Sequence, residues 1–454
     1  MHEDIVATER IPVAFQGEGS GTGVLSWGQR EIWLAMVNQR DHLGIGGRKP
    51  LPPGTRVEEI ADELRYLMTR YPPMRTKLRF PADDPERPSQ ELFASGVIDL
   101  EVFDVADGED PDTVAAVLEH RYKFEPFDLA GAWPVRMGVT RQGGCATHMI
   151  IMMPHIVSDA GGGSVMLREV ETRETGPVPG MQQLEQVRWQ SSPEGRKHLA
   201  RTMRYYGELL RRIPTRQVPG PFEPRTPRYW AGDLDSTALP IALKAVAERT
   251  QADSSAVLMV LFAASLSRIT GIHPVVLRPV VHNRFRPQLA GVMCMVAQAG
   301  CSTLEVAGIG VDEAVVRAQQ ATMLAYKHAY FDPYELNELV AEVAKERDPE
   351  LDISTFFNDR RMGKGRNDEA IPAASRDLLD QTRAASTFEW TDRQDNPFDR
   401  VFLHVDDSPG DIKLRICFDT AYLQPEEAER LVRNMEALAV EAALTPDAPT
   451  GVPQ

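Results

Sequence analysis

The chain has 454 residues, beyond the roughly 250–300 at which one hydrophobic core stops growing, so two lobes are expected. Hydrophobic residues make up 42% and charged residues 26%, as in an ordinary globular protein. A formal net charge of −16 argues against general nucleic-acid binding, which needs a surplus of Lys and Arg facing phosphates, and against docking on an anionic membrane surface.

The N-terminus, Met1-His2-Glu3-Asp4, carries acids where a secretory signal carries basic residues. The most apolar segment, Ala256 to Leu266, is shorter than the roughly 20 residues a membrane span takes, so a cytoplasmic protein without membrane contact is expected. Cys145, Cys294, Cys301 and Cys417 form no CxxC pair and no Cys/His set with zinc spacing, and read as reduced thiols, mostly buried. No metal site is expected.

Residues 1–20 are polar and are expected to be a flexible N-terminus. Leu25 to Met36 reads as a short helix with Ser26 as its N-cap. Val57 to Arg70 is amphipathic, with Ile60, Leu64 and Leu67 on one face, and Pro72-Pro73 ends it. Leu78 to Phe80 and Leu100 to Phe103 read as strands, and Asp112 to Tyr122 as a helix. Thr147 to Met153 is nearly all apolar, the pattern of a strand buried on both faces. Pro154 to Gly163 reads as a loop, with a helix from Ser164 carrying Val165, Leu167 and Val170. Residues 174–190 look like a crossover, which closes an N-terminal lobe over 21–190. An Arg-rich helix from Glu194 to Arg212 and a Pro-rich linker then fill 191–228, and the lobe boundary is placed within 213–228.

The C-terminal lobe, 229–454, opens with a strand and a helix over Ile241 to Arg249. A long apolar helix, Ser254 to Thr270, precedes a β-branched strand, Val275 to Val281. Asp312 to Ala325 reads as a helix, Ile353 to Asn358 and Arg400 to Val405 as strands. Asp411 to Phe418 alternates with period two, and Pro425 to Ala443 is a terminal helix. The alternation of strands and helices gives an α/β class.

The chemistry concentrates in Met153-Pro154-His155-Ile156-Val157-Ser158-Asp159-Ala160-Gly161-Gly162-Gly163. A His leaves a buried strand and enters a loop, and an Asp follows four residues later. Such a loop can present an imidazole for proton transfer while the Asp folds back to hold it. The small residues let the backbone approach a ligand closely, and the helix they open offers free N–H groups to an oxyanion.

This segment resembles the HHxxxDG signature of nonribosomal-peptide condensation domains and their acyltransferase relatives. His155 matches the second His and Asp159 the Asp, while Pro154 and Ala160 stand where the family has His and Gly. Further blocks follow the family order. Leu25-Ser26-Trp27-Gly28-Gln29 with Trp33 is similar to LSxAQ…W. Arg70 to Thr76 is similar to RHPALRT, and Phe127-Asp128-Leu129 with Arg136 to FDLxxGPLxR. Asn283-Arg284 with Pro287 and Leu289 is similar to GRxxPEL.

The resemblance implies two chloramphenicol-acetyltransferase-like lobes in a V-shaped pseudo-dimer with a central tunnel. It implies His155 as the catalytic residue and Asp159 as a structural residue paired with Arg284 of the second lobe. Backbone N–H groups near Ala160 and Gly161 would hold an oxyanion. Pro154, Ser158, Cys294 and Gln298 fall at tunnel positions, the last two where the family has Gly and Asn. No tightly bound cofactor is implied. The substrate would arrive on the phosphopantetheine arm of an acyl or peptidyl carrier protein and meet a small-molecule or carrier-bound acceptor. No carrier or adenylation domain is visible in the sequence, so both would come from separate molecules. Arg201 and Arg204 on the Arg-rich helix are candidates for docking an acidic carrier. Three activities fit: amide-forming condensation, ester-forming acyl transfer, and a non-catalytic recruitment domain.

Overall fold

In the computed structural model, residues 5–361, 371–408 and 410–454 are described. They form two compact units, residues 1–197 with 282–297, and residues 198–281 with 298–454.

The first unit is built on a five-stranded sheet in the order β1-β6-β7-β8-β3. Its strands are β1 (Glu9–Gln16), β3 (Ile45–Pro50), β6 (Ser95–Asp104), β7 (Arg136–Gln142) and β8 (Cys145–Met153). A small sheet adds β2 (Gly21–Val24), β5 (Ser89–Leu92) and β4 (Thr76–Arg79). Helix α1 (Trp27–Gln39) starts at Ser26, whose side chain and Gln29 cap each other. Helix α2 (Val57–Arg70) buries Ile60, Leu64 and Leu67 against Val13, Leu100 and Val139 on one face of the large sheet. Helix α3 (Pro111–Phe124) packs Leu118 and Tyr122 against Ile150 and Met152 on the other. Strand β8 is therefore covered on both faces, as its continuous apolar run requires.

The second unit carries an eight-stranded sheet whose main path is β11-β10-β13-β15-β16-β9-β14, with β12 paired to β10. These are β9 (Tyr229–Ser236), β10 (Val275–Val281), β11 (Gln298–Ala299), β12 (Ser302–Leu304), β13 (Thr355–Asp359), β14 (Thr387–Gln394), β15 (Val401–Ser408) and β16 (Asp411–Asp419). Helices α7 (Ala238–Thr250), α8 (Ser254–Thr270) and α12 (Pro425–Leu444) pack on one face of it, against Leu234, Leu403 and Leu414. Every residue of α8 from Ser255 to Ser267 is buried, which is why this helix is apolar all round. Helices α9 (Val311–Lys327), α10 (Pro333–Arg347) and α11 (Arg376–Ala384) complete the unit.

Several sequence expectations are corrected. The segment expected to be flexible, 1–20, contains β1, which pairs antiparallel with β6 from Glu9↔Val102 to Gln16↔Ser95; Val13 and Phe15 reach the core. The helix expected from Ser164 is α4 (Ala160–Thr172), since Asp159 already caps it. The crossover 174–190 contains α5 (Gln183–Gln190). The Arg-rich helix is α6 (Pro193–Leu210), and the division between units falls inside it, at 197/198, not within 213–228. Residues 282–297, expected in the second lobe, belong to the first unit. They leave the end of β10, and the chain returns at Gln298 beside Val281, so the excursion is tied at its base and free to pack on the His155 segment.

Candidate active site

Strand β8 delivers the site. Its pairing with β3 runs from Pro50↔His148 to Ile45↔Met153. Gly46 makes that pairing possible, because a Cβ there would sit 2.1 Å from the Ile151 carbonyl oxygen. Beyond Met153 the strand meets Pro154, which has no N–H to continue the ladder. The chain resumes it one residue on, where the His155 N–H donates to the His42 carbonyl at 2.9 Å. Val157 then donates to the Pro154 carbonyl at 3.0 Å and closes a turn.

The His155 ring is half-buried. Its Nδ1 lies 2.9 Å from the Ser158 carbonyl oxygen. A carbonyl can only accept, so Nδ1 carries the proton and Nε2 is left with its lone pair. The tautomer is thus set by the loop that carries the ring.

Asp159 does not touch that ring in any of these contacts. One carboxylate oxygen accepts from the Gly162 N–H at 2.9 Å and pairs with Arg284 Nη1 at 2.6 Å. The other accepts from the N–H groups of Val296 at 3.0 Å and Ala297 at 2.9 Å. Both side chains of the ion pair are under one-tenth exposed, 6% for Asp159 and 9% for Arg284. Arg284 also donates to the carbonyls of Val292 at 3.1 Å and Cys294 at 3.0 Å. This network pins the 282–297 excursion to the N-terminus of α4, and is the physical reason Arg284 belongs to the first unit.

The small residues after Asp159 serve this pair. A Cβ on Gly161 would lie 2.7 Å from Arg284 Nη1, and one on Gly162 would lie 2.2 Å from Ser158 Oγ. The close approach expected for a ligand is made by an arginine instead. Ala160 is exposed at the first helical position, and its methyl disturbs none of these contacts.

The residues expected at tunnel positions are packed. Pro154 is buried beside the strand end. Ser158 is fully buried, its hydroxyl bonded to the Asp159 carbonyl. Cys294 is buried, with its Sγ 3.0 Å from Gln186 Nε2, and burial pushes its thiol up to about 12. Gln298 belongs to the second unit, where its amide donates to and accepts from the backbone of Phe331. Each is committed to an internal hydrogen bond or to packing, so none presents a free polar group. Arg201 and Arg204 are both exposed on α6, and no ion pair joins either among the described residues.

Sequence reasoning implied the Asp159–Arg284 pair through the resemblance but missed the carboxylate's three backbone partners, the N–H groups of Gly162, Val296 and Ala297. Val296 and Ala297 act through backbone N–H groups, which no side-chain pattern advertises. It also missed His42, whose carbonyl receives the His155 N–H. Among the described residues no three His, Cys, Asp or Glu side chains gather as metal ligands, and no single helix is long and apolar enough to cross a membrane.

The fold is that of condensation-domain structures. The condensation domain of the monacolin K polyketide synthase MokA superposes with a TM-score of 0.72 at 12% identity, over 96% of this chain and all of that one. SgcC5 from Streptomyces globisporus superposes with a TM-score of 0.66 at 16% identity, over 94% of this chain and all of that one. The sequence matches the Condensation domain family over residues 51–453, and the chain belongs to that family. Its curated relatives are nonribosomal peptide synthetases. It is 24% identical to the phosphinothricin tripeptide synthetase PhsC of Streptomyces viridochromogenes over 94% of this chain and 40% of that protein. It is 23% identical to tyrocidine synthase 3 of Brevibacillus parabrevis over 68% of this chain. The chain spans only 5% of the length of that synthase.

Proposed function

We propose that this chain condenses an acyl or aminoacyl thioester, held on the phosphopantetheine arm of a carrier protein, with an amine acceptor. The observation that carries the reading is the His155 tautomer: Nδ1–H is spent on the Ser158 carbonyl, and the half-buried ring keeps Nε2 as a proton acceptor. As the amine nitrogen forms its bond to the thioester carbonyl carbon, its proton passes to Nε2. The carbonyl oxygen becomes an oxyanion. Gly162 and Gly163 N–H groups are already taken by Asp159, so those of Ala160 and Gly161 are the first-turn donors left to stabilise it. Collapse breaks the C–S bond, and the leaving thiolate recovers the proton from His155. A thioester is already activated, so the enzyme's main task is to hold the nucleophile in place. The exposed arginines 201 and 204 are proposed to receive an acidic carrier.

Intact-mass analysis of a loaded carrier, with and without this protein, tests the reading. Loss of the acyl mass from the carrier together with a new amide supports it. A product formed only with an alcohol acceptor would assign ester formation instead. Binding of an assembly-line protein with no turnover of any acceptor would leave recruitment as the function.

A further inference from the structure

Proline at 154 leaves the catalytic loop without a side chain that can hydrogen-bond at that position, yet His155 is held in one orientation. We infer that the Asp41-His42-Leu43 turn is the positioning element of His155, with the buried His42 ring as its anchor. This rests on the reading that His155 is the working base.

The turn follows the end of α1, where Arg40 adopts φ 53 and Asp41 N–H donates to the Met36 carbonyl at 3.1 Å. Leu43 is also left-handed, at φ 51, a conformation a leucine adopts only when its surroundings impose it. Part of that imposition is local: Asp41 Oδ1 accepts from the Leu43 N–H at 2.9 Å. The rest comes through His42. Its side chain is 9% exposed and lies with Nδ1 3.6 Å from Asp41 Oδ1. The ring meets Phe127 edge-on at 5.0 Å, and the Arg136 guanidinium lies over Phe127 at 4.0 Å. Arg136 in turn donates to the carbonyls of Glu125 at 2.7 Å and Pro126 at 2.5 Å. The ring set edge-on to the phenyl, with the guanidinium over the phenyl face, is a packed group that fixes where the His42 carbonyl points. That carbonyl receives the His155 N–H at 2.9 Å. Space opposite Pro154 is tight as well: a Cβ on Gly44 would stand 3.1 Å from His42 Nε2 and 3.2 Å from Met152 Sδ. Burial lowers the affinity of the His42 ring for a proton, opposed by Asp41 and by a hydrogen bond to the Lys123 backbone and assisted by Arg136. What the ring positions is the backbone under the base.

The test reads the ring nitrogens of His155 by long-range proton–nitrogen correlation in protein labelled with 15N-histidine. The chain has 10 histidines, and the His155 signals are those that vanish in His155→Ala. The wild type shows a protonated Nδ1 and an unprotonated Nε2. In His42→Ala these signals shift toward a mixture of tautomers, and kcat falls with KM little changed. His42→Phe, which refills the space against Phe127, keeps the wild-type pattern. Asp41→Ala, a surface change that frees the Leu43 N–H, moves the pattern in the same direction as His42→Ala and supplies the readout if that variant does not fold. Unaltered His155 signals in both His42→Ala and Asp41→Ala, or a Phe variant no better than the Ala variant, overturn the inference. Full turnover in His155→Ala would instead sink the catalytic reading and leave the positioning result standing.

Discussion

Two histidines in the first unit stand at strand ends, and the chain treats them in opposite ways. His155 follows β8, and its Nδ1 faces the Ser158 carbonyl at 2.9 Å. His282 follows β10, and its Nδ1 faces the Arg284 N–H at 2.9 Å. An N–H can only donate, so His282 Nδ1 is the acceptor and its proton sits on Nε2. In one ring Nδ1 is the donor, in the other the acceptor. Residue type is the same and both follow a strand, His155 two residues past β8 and His282 directly after β10; the backbone partner of Nδ1 decides which ring nitrogen carries the proton. His282 uses its lone pair to help set the backbone of Arg284, the residue that clasps Asp159.

The largest effect expected from breaking this pair of roles is kinetic. His155→Ala should fold normally and lose roughly 10²–10⁴-fold in kcat, the usual contribution of a positioned general base. His282→Ala should keep far more of its turnover, because its ring enters through Arg284 and not through the reacting atoms. Equal losses in the two variants, measured on the same loaded carrier, would erase the distinction between them.

The next effect is on stability. Asp159→Ala strands Arg284 and the backbone N–H groups of Gly162, Val296 and Ala297 in a site that is 4% exposed at Asp159. Removing one partner of a buried pair costs about 3–5 kcal/mol. The melting temperature should therefore fall along with activity. Asp159→Asn keeps an acceptor for the amides and should lose less. A melting temperature unchanged in the Ala variant, with activity gone, would move Asp159 from the frame of the site into its chemistry.

How much of this was legible beforehand follows the same line. The pair Asp159–Arg284 was implied by the resemblance, whose motif blocks carry both side chains. The long apolar run of α8 and the period-two strand β16 were readable because burial on all sides or on one face leaves a pattern. Two of the strands that were missed lie where pattern is weak: β3, Ile45–Pro50, is an edge strand holding Gly46 and Gly47, and β14 alternates Phe388 and Trp390 among charges. The membership of 282–297 in the first unit was not readable at all. It depends on N–H groups of Val296 and Ala297 reaching a carboxylate far away in sequence.

A third histidine gives a pH dependence of intermediate size. His404 on β15 stacks on Phe402 with ring centroids 4.0 Å apart, and its Nδ1 has no hydrogen-bond partner. Burial, and then the guanidinium groups of Arg360 and Arg415, hold its pKa well below 6.5. Those cations are in turn paired, Arg360 with Asp406 and Arg415 with Asp233. A His whose folded pKa is depressed stays neutral in the folded state while the unfolded chain takes up a proton. Its contribution is complete above pH 6.5 and is lost as the pH falls toward the folded value, at up to about 1.4 kcal/mol per pH unit for one group. His42 acts in the same direction, its pKa also lowered by burial. Melting temperature should therefore drop between pH 7 and 5.5, and His404→Phe should flatten that slope. An unchanged slope in the variant would show that the ring already charges in the folded protein.

The smallest effect concerns a surface where the first two kinds of argument do not apply. Arg201 and Arg204 are exposed on α6, so neither is held by geometry as Arg284 is. Exposed charges act through a field that salt screens over about 8–10 Å at ordinary ionic strength. Reversing both to Glu should leave the melting temperature within a degree or two of wild type, since surface charges of this kind contribute little to stability. If the arginines receive an acidic carrier, the change appears as a raised KM for carrier-bound substrate at low salt, with kcat unaltered. The gap to wild type should narrow as salt is added. A small thioester mimic that lacks the carrier should be used equally well by both proteins. Equal weakening toward carrier and mimic would place the effect in the fold, while no weakening toward either would put the docking surface elsewhere on the chain.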